Sequence, residues 1–371
     1  MSDLGCHVHV GMSKTGTTSI QETLSTVVGQ SARYLPAKGT NHGMIFSNLF
    51  EARPWRHVRH LHMGHTKQDV LAMRSRQRKH IIAGMNAATK DPKTRSIIFS
   101  AERMSSTNVA DEQATLDFRH FISQWCSEFR VYGYIRPVSG FVTSAFQQII
   151  KTYGKPDLEA SVRYPHYREK FEKFDRVFGQ SNVSLRRFVR SDLTNGDVVQ
   201  DIADQIGLDI THCPTQVHNE SLSLEAIALL FTIRRSEYVE DPVRASSIGD
   251  QLVTPLLSKI GGGKFGLDPK ISVQLIEQNA EDIAWIENRI GASVTNLDSP
   301  VENPIRNNQD ILDVAAESVQ LLDSLEGDPI FLDSNFTLKD MKRWVEQGLN
   351  TAHPNYRSSS SIRRLRRKTC S

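Results

Sequence analysis

Gly11-Met12-Ser13-Lys14-Thr15-Gly16-Thr17-Thr18-Ser19 follows directly on Cys6-His7-Val8-His9-Val10, and the reading of this join decides the fold. Cys6 to Met12 alternates His and Val before Gly11, the pattern of a short buried strand that runs into a turn. Beyond the turn, Ile20, Leu24, Val27 and Val28 fall at helical spacing, so a strand–loop–helix unit opens the chain. A glycine-bearing turn at that place lets backbone N–H groups converge on an anion, and the helix N-terminus adds a favourable dipole. Lys14 supplies a full positive charge, while Thr15, Thr17 and Thr18 supply hydroxyls and capping groups. In composition and in place this is a phosphate cradle. The plainer reading is a Thr-capped helix start with a lysine in solvent.

The same alternation continues outward. A helix is expected over 67–88, a second strand from Thr94 to Phe99 and a helix from Asp111 to Trp125. A third strand runs from Glu128 to Ile135, Phe141, Ala145 and Ile149 mark a helix, and a fourth strand covers Val183 to Val189. A helix near 197–206 stops at Gly207. This succession predicts an α/β fold, a parallel sheet flanked by helices. From about residue 220 the pattern is mostly helical, broken at Gly261-Gly262-Gly263. The expected organisation is an α/β core over 1–215, a mostly helical C-terminal part of the same domain over 216–350, and a basic Ser/Arg-rich tail over 351–371, expected to be disordered.

Composition narrows the function. With 371 residues, 39% hydrophobic and 23% charged, the chain suits a soluble globular protein, and no uncharged apolar run approaches the ~18–20 residues that span a bilayer. The N-terminus has neither a basic nor an apolar region of the secretory kind, so a cytoplasmic protein without a transmembrane segment is expected. Its four cysteines lie far apart and outline neither a disulfide framework nor a zinc site. The net charge of +3 hides an asymmetry: residues 353–371 hold six Lys or Arg and no acid, which leaves −3 for residues 1–352. Such a tail is a solvated end or touches an anionic surface. With no basic reading motif on a folded segment, nucleic acid is not an expected partner.

The turn at 11–18 invites comparison with the nucleotide loop Gly-x-x-x-x-Gly-Lys-Ser/Thr, but here the lysine precedes the second glycine. Gly-x-x-Lys-Thr-Gly-Thr-Thr-Ser after an N-terminal strand instead resembles the 5′-phosphosulfate loop of sulfotransferases that use 3′-phosphoadenosine 5′-phosphosulfate (PAPS), enzymes with a P-loop-like sulfotransferase fold. The family's second signature is an Arg at a later strand end with a Ser eight residues on. Arg136 ends the segment Tyr134-Ile135-Arg136-Pro137, and Ser144 follows at that spacing, with Phe146 and Gln147 after it. Pro137 follows Arg136 directly, and Phe141 stands where many carbohydrate-acting members have a second Arg. The resemblance implies that Ser13, Lys14, Thr15, Gly16, Thr17, Thr18, Arg136 and Ser144 hold PAPS as co-substrate, with no metal. It also implies that Lys14 meets the leaving side. The acceptor is then a hydroxyl-bearing glycan, lipid or small molecule. A divergent P-loop kinase and a non-catalytic nucleotide-binding relative are the alternatives.

Sulfuryl transfer needs a base for the acceptor hydroxyl. Glu102, just past the second strand, stands nearly where the cytosolic members carry a catalytic His; the plainer reading is a strand-end capping or salt-bridge Glu. His42, in what reads as an exposed loop, Asn41-His42-Gly43, is the competitor. His57, His60, His62 and His65 cluster without Cys or carboxylate and are not expected to bind a metal. Residues 53–80 carry eight Lys or Arg against one acid, Asp69, which is either a solvated face or a place for an anionic acceptor. Gly261–Gly266 is either a flexible linker or a loop that closes over the nucleotide.

Overall fold

A computed structural model describes residues 4–35, 39–106, 111–152, 156–213, 222–236, 252–299, 301–332 and 337–352. The basic tail beyond residue 352 lies outside them. In chain order the elements are β1 (Leu4–His9), α1 (Thr17–Thr26), β2 (Ala32–Tyr34), α2 (Gly43–Phe50), α3 (Val58–His62), α4 (Lys67–Lys90), β3 (Ser96–Ser100) and α5 (Glu112–Ile122). Then follow β4 (Cys126–Ile135), α6 (Val138–Thr152), α7 (Leu158–Ser161), α8 (Tyr167–Phe178), β5 (Val183–Arg187), α9 (Val198–Ile206) and α10 (Leu224–Ile233). The last are α11 (Thr254–Leu257), α12 (Pro269–Gln278), α13 (Ala280–Ile290), α14 (Asn308–Ser318), α15 (Pro329–Leu332) and α16 (Leu338–Ala352). The chain is thus α/β as expected, with one five-stranded sheet among the described residues, ordered β2-β3-β1-β4-β5 and parallel throughout.

Two compact units share these elements, and they do not follow chain order. The first comprises residues 1–138, 165–218 and 276–296 and holds the sheet; the second comprises 139–164, 219–275 and 297–371. In the first unit β1 is central, pairing Gly5 with Ser96 of β3 and His9 with Tyr132 of β4. Strands buried on both faces read as near-continuous apolar runs, and Val131 to Ile135 is buried at every position. One face packs Ile20 and Leu24 of α1 against Ile98, Tyr132 and Tyr134, with Val199 and Ile202 of α9 beside them. Each fully buried aliphatic side chain there contributes roughly 1.5–3 kcal/mol.

In the second unit α10 is the hub. Every residue from Leu224 to Ile233 except Glu225 is buried, as expected of a helix apolar on all sides, and α14 and α16 pack against it. The Gly261–Gly263 segment is fastened to this helix: Gly263 N–H donates to Glu225 Oε2 (2.9 Å), and its carbonyl accepts from Leu224 N–H (2.8 Å).

Several elements depart from expectation. The first helix ends at Thr26 and leaves Val28 83% exposed, so the apolar spacing ran past the helix. The second strand begins at Ser96, because Thr94 is held in a turn by its hydroxyl bond to Asp91 (2.9 Å). β2, α2 and α8 had no counterpart in the reading of the sequence.

Candidate active site

The connection from β1 leads to one side of the sheet and that from β4 to the other, so their carboxyl ends flank a topological switch point, where open α/β sheets receive ligands. Three loops end there: the turn after β1 carries Lys14, the turn after β3 carries Glu102, and Arg136 directly follows β4.

The turn after β1 is held in an uncommon shape. Gly11, Lys14 and Gly16 all have positive φ, at 60°, 68° and 72°. For glycine this is free. For Lys14 the left-handed conformation costs about 1 kcal/mol, and such outliers persist where surroundings hold them. Two bonds do so: Thr15 hydroxyl donates to the Met12 carbonyl (2.7 Å), and the Arg136 guanidinium donates to the Lys14 carbonyl. A Cβ on Gly11 would lie 2.7 Å from Thr17 Cγ2 and 3.3 Å from Glu102 Cα, so only glycine lets the turn lie this close to the β3 end. The N-cap of α1 is Gly16, and no side chain caps the helix. The Thr-capped alternative is therefore not what the chain adopts, and the first N–H groups of α1 have no capping side chain as acceptor.

Thr17 turns its hydroxyl to Glu102 Oε2 (2.6 Å), which binds the base candidate to the cradle. Lys14 is half-buried. Its ammonium pKa is lowered first by that burial and then by the Arg136 charge, while Glu102 pulls it back up. Arg136 is held from two further sides: its guanidinium lies over the Phe188 ring (5.8 Å), and its carbonyl accepts from the Tyr167 hydroxyl (2.7 Å). Burial, followed by the nearby Asp282 and Glu287, pushes the Tyr167 phenol pKa up, so it remains a donor. Lys14, Arg136, Thr17 and Glu102 are thus brought together. Ser144 is half-buried on α6 in the second unit.

His42 is fully buried rather than on an exposed loop. Its Nδ1 accepts from Ser100 N–H (2.9 Å), its Nε2 donates to the Leu35 carbonyl (2.9 Å), and its ring stacks on Phe99 (4.8 Å). Burial lowers its pKa to about 4, with the Leu35 bond opposing. Both ring nitrogens are committed to main chain that joins the ends of β2 and β3, and neither is left for an acceptor proton.

The histidine cluster is tied up locally. His60 Nε2 meets Asn48 Oδ1 at 2.8 Å and its Nδ1 meets His65 Nδ1 at 3.1 Å, while His57 Nδ1 accepts from Arg59 N–H. Among the described residues no group of three or more His, Cys, Asp or Glu is placed to hold a metal ion, and no helix is long and apolar enough to cross a membrane. The basic stretch is partly internal: Arg74 donates to the carbonyls of Asn48 and Glu51, and Arg78 lies over the Phe121 ring (4.6 Å).

Beside Glu102 a cavity of about 450 Å³ opens between the turns after β1 and β3, the start of α2 and the side of α8. Lys170 of α8 lines it, and Lys173 one turn on is buried, its ammonium donating to the Ser106 carbonyl (3.4 Å). Neither was singled out from the sequence. A signal was present for Lys170, which lies in the stripe of α8 that also carries Tyr167, Phe171 and Phe174, where a lysine is out of pattern; Lys173 flanks that stripe.

The whole is an α/β protein with an anion-suited turn at a sheet switch point and a carboxylate beside it. No family model matches the chain, and no curated protein matches it either. Among solved structures it is similar to a sulfotransferase from Alicyclobacillus acidocaldarius, at a TM-score of 0.40 and 11% identity over 77% of this chain and 96% of that one. So distant a likeness says nothing of what this chain binds, and its own geometry has to carry the function.

Proposed function

We propose that the chain is a sulfotransferase that moves the sulfuryl group of PAPS to a hydroxyl of an acceptor. The observation that carries this reading is the bond from the Arg136 guanidinium to the Lys14 carbonyl, which puts the two basic groups of the resemblance side by side at the switch point. The donor set suits the nucleotide: a lysine and uncapped helix N–H groups for a phosphosulfate, and a rigidly held guanidinium for a phosphate. PAPS supplies an activated sulfuryl group on a phosphate leaving group. Arg136 is assigned to the 3′-phosphate, and Ser144 keeps the part the resemblance implies.

During transfer the acceptor oxygen forms a bond to sulfur, the bond from sulfur to the bridging phosphate oxygen breaks, and the acceptor proton goes to the Glu102 carboxylate. Lys14 and the N–H groups of the turn neutralise the charge that grows on the leaving phosphate. Thr17 holds Oε2 of Glu102, and Oε1 is the oxygen assigned to the proton.

Isothermal titration with 3′,5′-adenosine diphosphate tests the reading, with binding expected in the absence of any metal. No binding, together with binding of ATP in the presence of magnesium, would transfer the site to a kinase. With Glu102→Gln, turnover should fall roughly hundredfold at unchanged nucleotide affinity. A chain that binds the nucleotide and transfers nothing with any acceptor is the non-catalytic relative.

A further inference from the structure

We infer that the acceptor carries a negative charge of its own, a carboxylate or sulfate beside the hydroxyl to be sulfated, and that Lys170 with Arg59 receives it. This deepens the sulfotransferase reading and rests on it. The cavity beside Glu102 is lined by hydrogen-bonding groups, among them Ser13, Asn41 and Ser105, and its charged lining residues are Glu102 against Arg59, Arg103 and Lys170. That balance is decided by which cations are already spent. Arg103 is spent: it grips the buried Glu51 with two bonds (2.7 and 3.1 Å), and Ser47 takes up the same carboxylate. Arg59 and Lys170 form no ion pair with a described carboxylate.

Glu169, Glu102 and Asp282 pull the Lys170 pKa back up without forming an ion pair with it among the described residues. Asp282 is engaged by the N–H groups of Tyr167 (2.9 Å) and Arg168 (2.7 Å) at the start of α8, and Glu169 is exposed to solvent. Glu102 is bonded to Thr17. Lys173 adds a second ammonium three residues on, buried, with its pKa brought down to about 8 by burial first and Lys170 next. Burial likewise lowers the Lys170 pKa. A lysine drawn partly out of water at the cavity wall, with a second ammonium near it, is costly, and an anion in the cavity relieves it. The polar lining and this charge excess fit a polyhydroxylated anion of the acidic-sugar class.

The test uses 4-nitrophenyl β-D-glucuronide and the neutral 4-nitrophenyl β-D-glucoside, titrated into the full chain with and without 3′,5′-adenosine diphosphate. The glucuronide should bind at least about tenfold more tightly, equivalent to ~1.4 kcal/mol. In Lys170→Met the preference should shrink below about threefold, and in Lys170→Arg it should persist, with circular dichroism and melting temperature checking that each variant folds. Equal binding, binding of neither glycoside, or a preference undiminished in Lys170→Met overturns the inference. Failure of the parent reading shows separately, as absence of 3′,5′-adenosine diphosphate binding in the wild type.

Discussion

Two polar regions of the sheet-bearing unit handle buried charge in opposite ways. On the α9 side, Asp201 is fully buried and fully answered. Its Oδ1 accepts from Arg186 (2.7 Å) and Thr194 N–H (3.1 Å), and its Oδ2 accepts from the Tyr134 hydroxyl (2.8 Å) and Gln205 (2.9 Å). At the carboxyl ends of β1 and β4, Lys14 and Arg136 are instead held close together, with burial and mutual repulsion lowering the lysine pKa and Glu102 as the counter-charge. A closed network stabilises one arrangement of the chain. Two like charges held together beside a single carboxylate are costly, and a bound anion lowers that cost. The difference separates a structural polar cluster from the region proposed to hold the nucleotide.

Substitutions can break that contrast, and the largest effect belongs to the open region. Lys14→Ala should lower kcat/KM roughly thousandfold, about 4 kcal/mol of transition-state stabilisation, at nearly unchanged stability. A large loss of stability would mean that the lysine belongs to the structural class after all. Next comes Asp201→Ala, which leaves a buried phenol and an arginine without their partner. Urea denaturation should show a loss of about 3 kcal/mol, while the folded protein keeps its nucleotide affinity.

His42→Phe should cost about 1–2 kcal/mol from two lost hydrogen bonds and leave turnover of the folded protein within about threefold. A hundredfold loss of turnover at full stability would instead make His42 the base. The same variant reads out pH. The folded pKa of His42 is depressed from 6.5 to about 4, so its contribution is intact above 6.5 and is lost as pH falls toward 4. Acid unfolding of the wild type should therefore steepen in that window relative to His42→Phe, by up to ~1.4 kcal/mol per pH unit. The smallest effect on stability is that of Lys14→Gly, which relieves the left-handed strain: stability should rise by up to about 1 kcal/mol, with turnover lowered as in Lys14→Ala. A fall in stability would remove strain from the account of the turn.

What could be read from the residues alone divides along physical lines. The turn after β1 was legible because glycine, lysine and threonine each answer a local need there, and β1, β3, β4 and β5 were legible as short stretches rich in β-branched, aromatic or alternating residues. β2 was not, since Ala32-Arg33-Tyr34 is three residues of an edge strand and acquires its identity only by pairing with Ser96–Ile98. His42 looked exposed because its neighbours are polar, whereas its partners, Ser100 and Leu35, arrive through the sheet. Lys170 and Lys173 were hidden by the same logic, since a lysine in or beside an apolar stripe gains meaning only from what the stripe faces.

The position of β1 in the sheet has a consequence for biosynthesis. Among the strands of this sheet β1 is made before both of its neighbours, residues 96–100 and 126–135, so it leaves the ribosome before either partner strand exists. At ~5–20 residues per second it waits on the order of ten seconds for β4. Such long sequence separations make folding slow, and the exit of Ile135 sets the earliest moment at which the middle of the sheet can close.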